Sequence, residues 1–261
     1  VLVGIVITGL IQSSSATTVI AISFVRAGIM SLEQAIGVTL GANIGTTVTS
    51  ILIGFDLGYF SYFLALIGVL VFMFSSKRKH KYIGEILIGF GLLFIGLEMM
   101  GGSLTELKNI PGFEQVVTNI AQNPVLGVLI GAALTALLQS SSAFIGITQS
   151  LYASGAIDLG VSLSLMFGAN IGTCITAILA SLGGSMSAKR TSLYHILFNV
   201  SVSVIFLIFL HPYRMLVEAI AGAIGANDLM TIAVGHFTFN FIGMIIFLPL
   251  IRVVARLLRK I

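Results

Sequence analysis

Thr8-Gly9-Leu10-Ile11-Gln12-Ser13-Ser14-Ser15-Ala16 is echoed by Thr135-Ala136-Leu137-Leu138-Gln139-Ser140-Ser141-Ser142-Ala143, 127 residues further along the chain. The same offset carries Gly41-Ala42-Asn43-Ile44-Gly45-Thr46 onto Gly168-Ala169-Asn170-Ile171-Gly172-Thr173, and Gly28, Leu32, Thr49 and Ile51 onto Gly155, Leu159, Thr176 and Ile178. Two polar motifs that keep one spacing of 31 residues, Gln to Asn, in both copies mark a duplicated functional unit.

Around these motifs the chain is built for lipid. Of its 261 residues 57% are apolar and only 8% charged, against about a quarter charged in a soluble domain. Apolar runs such as Tyr59 to Phe74, Ile83 to Met100 and Leu229 to Ile251 approach or exceed the roughly 20 residues a helix needs to cross a bilayer. They recur along the whole length, so a signal peptide does not explain them. Cys174 is the only cysteine, which excludes an internal disulfide and a cysteine-rich metal site.

The fold expected is an all-α integral membrane protein of two inverted-topology repeats, 1–82 and 83–261. Residues 1–27 are too short for two crossings and carry Gln-Ser-Ser-Ser near their middle, which fits a re-entrant helical hairpin with its tip at Gln12 to Ser15. Residues 124–153 read the same way, with Asn123 as N-cap and Pro124 at the first helical position. Segments 31–55 and 158–182 can cross the bilayer, but Gly-Ala-Asn-Ile-Gly-Thr interrupts each, which predicts a broken helix lining a cavity. Helices are expected at 58–74, 83–100, 191–210 and 230–251. An outer segment, 102–123, carries Glu106, Lys108 and Glu114 among Leu107, Ile110 and Phe113, as a short interfacial helix would.

Orientation follows from the basic residues. Three crossings between the two hairpins, at 31–55, 58–74 and 83–100, invert what comes next. With the basic loop 75–82 cytoplasmic, Arg26, Lys189, Arg190 and the C-terminal Arg252, Arg256, Arg259 and Lys260 also lie inside. Of the 13 Lys and Arg residues only Lys108 and Arg214 remain outside, as the positive-inside rule requires. Inverted repeats with paired broken segments characterise secondary transporters whose site lies near the membrane midplane.

At these residues the sequence resembles the type II sodium/phosphate cotransporter family, most of all its bacterial branch. The resemblance rests on QSSSATT at 12–18, GANIGTT at 41–47, QSSSAF at 139–144, GANIGT at 168–173 and His195-Ile196-Leu197-Phe198-Asn199, and it covers essentially the whole chain. His236-Phe237-Thr238-Phe239-Asn240 repeats the His-x-x-Phe-Asn pattern. The first copy has no such pattern after its GANIGTT, so ion stoichiometry does not carry over from animal relatives that have one. Residues 83–127 have no counterpart before the first QSSS, from which an upstream helix is expected outside this chain, and the resemblance to bacterial relatives implies a soluble C-terminal domain there as well.

The resemblance implies sodium-coupled transport of inorganic phosphate across the bacterial inner membrane, with Na+ as coupling ion, no cofactor, no nucleic-acid partner, and a homodimer as the family's assembly. Phosphate carries about −1.5 to −2 charges near neutral pH, yet the motifs contain no Lys or Arg to match it. Hydroxyls and free backbone N–H groups at the tips can face the anion, which assigns phosphate to Ser13, Ser14, Ser15, Ser140, Ser141 and Ser142, with Asn43 and Asn170. Sodium takes neutral oxygens, which assigns it to Gln12, Gln139, Thr46, Thr173, Thr176 and Asn199.

Blander readings stand beside these. Single Ser, Thr and Gly residues in membrane helices are usually packing residues, whereas two Gln and two Asn at matched depth are not required by packing. Thr17 and Thr18 lack polar counterparts, since Phe144 and Ile145 stand opposite them in the repeat. His195 and His236 read first as interface histidines satisfied by neighbours, Glu98 as interfacial and Cys174 as a small packing residue. Other small anions, and a passive anion channel, share the architecture. A serine hydrolase has no use for two symmetric serine triplets, and the sequence has no Gly-x-Ser-x-Gly elbow; the chain is not read as an enzyme.

Overall fold

Residues 1–260 are described in a computed structural model, without the side chains of Thr105, Leu107 and Lys108, so the expectations placed on those of Leu107 and Lys108 lie outside the described residues. Fourteen α-helices and a 3-10 turn at Glu106–Asn109 are joined by short links, with no strand among the described residues. In chain order the helices are α1 (Leu2–Ile11), α2 (Ser14–Arg26), α3 (Leu32–Gly54), α4 (Phe60–Phe74), α5 (Arg78–Thr105), α6 (Phe113–Gln122) and α7 (Pro124–Leu138). They continue as α8 (Ser141–Ala153), α9 (Leu159–Gly172), α10 (Cys174–Ser181), α11 (Met186–Ile208), α12 (Leu210–Ala223), α13 (Asp228–Phe247) and α14 (Ile251–Leu258). Five segments are long and apolar enough to cross a membrane: Leu32–Gly54, Arg78–Leu104, Leu159–Ser181, Met186–Ile208 and Asp228–Phe247.

Local chemistry sets these boundaries. Ser31 and Gln34 form a capping box at the start of α3, each side chain bonded to the other's backbone N–H. Its counterpart Asp158 caps α9 through Val161 N at 2.8 Å. At the other end, α2 and α8 close in the same Schellman pattern, with Gly28 (φ 74°) and Gly155 (φ 67°) in the left-handed conformation that glycine adopts without a Cβ penalty.

The expected break in 31–55 is not there: α3 runs unbroken from Leu32 to Gly54 through Gly-Ala-Asn-Ile-Gly-Thr. The reason is packing. A Cβ on Gly41 would lie 2.0 Å from the Val1 carbonyl oxygen, one on Gly45 2.6 Å from Thr8 Cβ, and one on Gly4 2.1 Å from the Val38 oxygen. The glycines therefore let α1 and α3 touch backbone to backbone, the small-residue packing of membrane helices, without opening the helix. In 158–182 the interruption shrinks to Thr173, between α9 and α10, with φ −58° and ψ −25° still in the helical region. There a Cβ on Gly168, Gly172 or Gly131 would lie 2.1, 2.4 or 2.2 Å from Val128 O, Ala132 O or Leu165 O, so the second copy packs as the first does.

Other boundaries shift. The basic run falls largely in the first turn of α5, which starts at Arg78. The helix expected at 191–210 begins at Met186, behind a Ser185 cap, and ends at Ile208. The helix expected at 230–251 divides into α13 and α14, and α12 occupies residues assigned to no element. Helix α6 fills part of the outer segment and buries Ile120. The main core gathers where α9, α11, α12 and α13 meet, around Phe167, Phe206, Tyr213 and Phe239, with ring centroids 4.5 to 6.0 Å apart.

Candidate functional site

The two QSSS segments adopt one backbone. Gln12 (φ 60°, ψ 28°) and Gln139 (φ 54°, ψ 23°) are left-handed, and Ser13 and Ser140 both have φ −145° and ψ 102°. Ser13 Oγ accepts from Ala16 N at 3.1 Å and Ser140 Oγ from Ala143 N at 3.2 Å, so each first serine N-caps the helix that follows. The remaining N–H groups of that first turn, with the positive end of the helix dipole, stay available to an anion.

The first tip is tied into its surroundings. Gln12 Nε2 donates to Gly9 O, and its Oε1 accepts from Thr49 on α3. Thr176 Oγ1 on α10 lies 3.0 Å from Ser15 Oγ and 2.9 Å from Thr173 O, which brings the first tip against the second copy's motif. Deeper in, Asn43 Nδ2 is 3.4 Å from Asn199 Oδ1. Asn199 Nδ2 in turn lies 3.2 Å from both Cys174 Sγ and His195 O. Ser15 is thus brought to Thr176, and Asn43 to Asn199, across sequence separations of 161 and 156 residues.

Other expected site residues are placed locally. Thr46 and Thr173, both buried, donate to Ala42 O and Ala169 O one turn back, at 3.0 and 2.9 Å. Asn170 Nδ2 donates to Met166 O at 3.0 Å. Ser14 and Ser141 are buried, while Gln139 is exposed. No side-chain hydrogen bond of Gln139, Ser141 or Ser142 occurs among the described residues, and none joins the two tips.

Sequence reasoning assigned no site role to three residues. Thr49 holds Gln12, and its match to Thr176 in the repeat is a signal for it. Thr17 donates no bond across the repeats but accepts from Thr8 Oγ1 at 2.8 Å, closing α1 on α2; Thr135, whose counterpart partner is Phe144, has a buried hydroxyl with no partner among the described residues. Gln149, fully buried on α8, donates to Ser50 O at 3.0 Å and Leu229 O at 2.8 Å. Its counterpart is Ile22, so the repeat gives no sign of it.

The His-x-x-Phe-Asn pattern also gains a reason. Its spacing lets the Asn amide donate to the His carbonyl one turn back, 3.2 Å in Asn199 to His195 and 2.9 Å in Asn240 to His236. Helix α13 packs on α3, with His236 Nδ1 2.7 Å from Ser50 Oγ, as α11 packs on α9 and α10. The pattern missing after the first GANIGTT is supplied by the end of the chain. Neither ring nitrogen of His195 has a partner among the described residues, so the neighbour expected to satisfy it is not there. Cys174 packs as expected but also meets the Asn199 amide.

Comparison with known proteins places this arrangement. The family model described as Na+/Pi-cotransporter matches residues 1–102 and 106–246. The uncharacterized protein YqeW of Bacillus subtilis (strain 168) is 36% identical over 260 residues, covering 98% of this chain and 82% of its own length. The putative inorganic phosphate export protein YjbB of Escherichia coli (strain K12) is 31% identical over 99% of this chain, which spans only 47% of that protein. Human sodium-dependent phosphate transport protein 2B is 31% identical over 150 residues, 48% of this chain and 22% of its own. No solved structure matches.

Proposed function

The chain belongs to the Na+/Pi-cotransporter family, and from that premise we propose that it is a sodium-coupled secondary transporter of inorganic phosphate. The observation that carries the reading is the pair of cross-repeat contacts, Ser15 with Thr176 and Asn43 with Asn199, made by uncharged groups. Phosphate is bound by the serines of the two tips with Asn43 and Asn170, and sodium by the neutral oxygens of Gln12, Gln139, Thr46, Thr173, Thr176 and Asn199. The two copies form inverted repeats whose tips enter the membrane from opposite sides, α4 serving as the short third crossing. The basic start of α5 and the C-terminus face the cytoplasm of a bacterial inner membrane.

The physical basis of coupling is electrostatic. A bare phosphate anion in a low-dielectric site without a cationic side chain is costly, and so is a bare sodium ion. Each lowers the cost of the other, so each raises the other's affinity by the same factor. Alternating access then rocks the two repeats about the shared site. Direction follows the gradients, and an exporter named among the relatives is compatible with the same chemistry.

Proteoliposomes containing the protein should accumulate labelled phosphate when sodium is high outside, and potassium should not replace sodium. Ser14→Ala and Ser141→Ala should weaken phosphate binding, while Thr173→Ala should chiefly alter sodium dependence. Uptake that is indifferent to sodium contradicts the coupling, and equal uptake by all three variants contradicts the site assignment.

A further inference from the structure

A cavity of about 360 Å³ opens where the C-terminal end of α3 meets α5 and α8. Asp56, Glu98, Ser150, Ile53, Phe94 and Leu229 are among its lining residues. None of them belongs to the contacts between the tips and the GAN-IG-T motifs, and the transport reading leaves the cavity without a role. Asp56, just past α3, and Glu98 on α5 bring two carboxylates to it. Ser150 supplies an independent pointer to a ligand: it is only 6% exposed, yet its hydroxyl has no hydrogen-bond partner among the described residues.

Behind this wall the polar groups continue. Leu229 lines the cavity, and its carbonyl receives Gln149 Nε2 at 2.8 Å. The other amide atom, Gln149 Oε1, is fully buried with no partner among the described residues. A cation arriving from water would meet two carboxylates and then an idle hydroxyl. The apolar walls focus the field of the carboxylates, which raises the local cation concentration and repels phosphate. The volume holds roughly ten waters at about 30 Å³ each, enough for an ion with its first hydration shell.

We propose that this cavity is a vestibule in which Asp56, Glu98 and Ser150 bind a hydrated sodium ion ahead of its transfer to the buried oxygens between the repeats. The inference rests on the sodium-coupled reading and separates the approach routes of the two solutes: sodium enters past the carboxylates, phosphate at the serine tips.

The test is phosphate uptake into proteoliposomes across a sodium titration, for the wild type and Asp56→Asn/Glu98→Gln, repeated with ionic strength raised by choline chloride. Asn accepts the left-handed backbone of Asp56 (φ 42°), and Gln keeps the length and polarity of Glu98 without its charge. The double variant should need about 3- to 10-fold more sodium for half-maximal uptake, with an unchanged maximum, and the gap should narrow as salt screens the carboxylates. Ser150→Ala, which keeps both charges, should need about 2-fold more. The two single carboxylate changes read the same effect should the double variant not fold. A sodium-dependent wild type whose titration superimposes on those of the variants overturns the vestibule and leaves the coupling intact. A wild type that ignores sodium overturns the coupling, and the vestibule with it.

Discussion

The two hairpins share a backbone and differ in how they are held. The first is tied at its tip, through Gln12 to Thr49 and Ser15 to Thr176, and its second arm makes apolar contact at Ile22 with Ala177 and Ala188. In the second the tip residues Gln139, Ser141 and Ser142 make no side-chain bonds among the described residues, and the arm is clamped instead by Gln149 to Ser50 O and Leu229 O. The two segments share one main-chain conformation and differ in their side-chain bonds.

The largest expected effect attacks what the halves share. Gly131→Ala and Gly4→Ala each place a methyl about 2 Å from a facing carbonyl, Leu165 O and Val38 O. Each should cost about 3 kcal/mol, the upper end for overpacking, read as loss of thermal stability in detergent. A much smaller cost in one copy would break the equivalence of the two packings.

Next comes the clamp. Gln149→Ile gives the second arm the residue that the first carries and removes two buried hydrogen bonds, at a cost of about 2 kcal/mol. Ile22→Gln buries an amide among alanines without a partner and should cost about as much, roughly 2 kcal/mol. A neutral Gln149→Ile would mean that the second arm is not held as described.

The smallest effect has opposite signs in the two copies. Thr8→Val loses the bond to Thr17 and should destabilise by about 1 kcal/mol, whereas Thr135→Val removes a buried hydroxyl with no partner and should stabilise by up to about 1 kcal/mol. Equal shifts in paired melting curves would show that Thr135 has a partner after all.

Much of this was legible in the sequence, and the failures have physical causes. The 127-residue offset gave the two tips, both GAN-IG-T motifs and the glycine pair that ends α2 and α8, because a repeat shows wherever both copies need the same backbone. Gly41 and Gly45 were misread as a break in 31–55. Glycine weakens a helix in water, but in lipid no solvent competes for the backbone and the missing Cβ serves close approach instead. Gln149 left no trace because Ile22 stands opposite it, and α12 escaped because Leu210–Ala223 is too short and too mixed in composition for a span. The partnership of Asn43 with Asn199 is a tertiary fact that neither residue's neighbours encode.

The central claim is tested most directly by measuring phosphate binding to the purified protein by calorimetry, in sodium and in potassium, for the wild type and Thr176→Val. Sodium should tighten wild-type binding by about 10-fold or more, and loss of the Thr176 hydroxyl beside Ser15 should erase most of that gain. Equal phosphate affinity in the two salts would contradict the account.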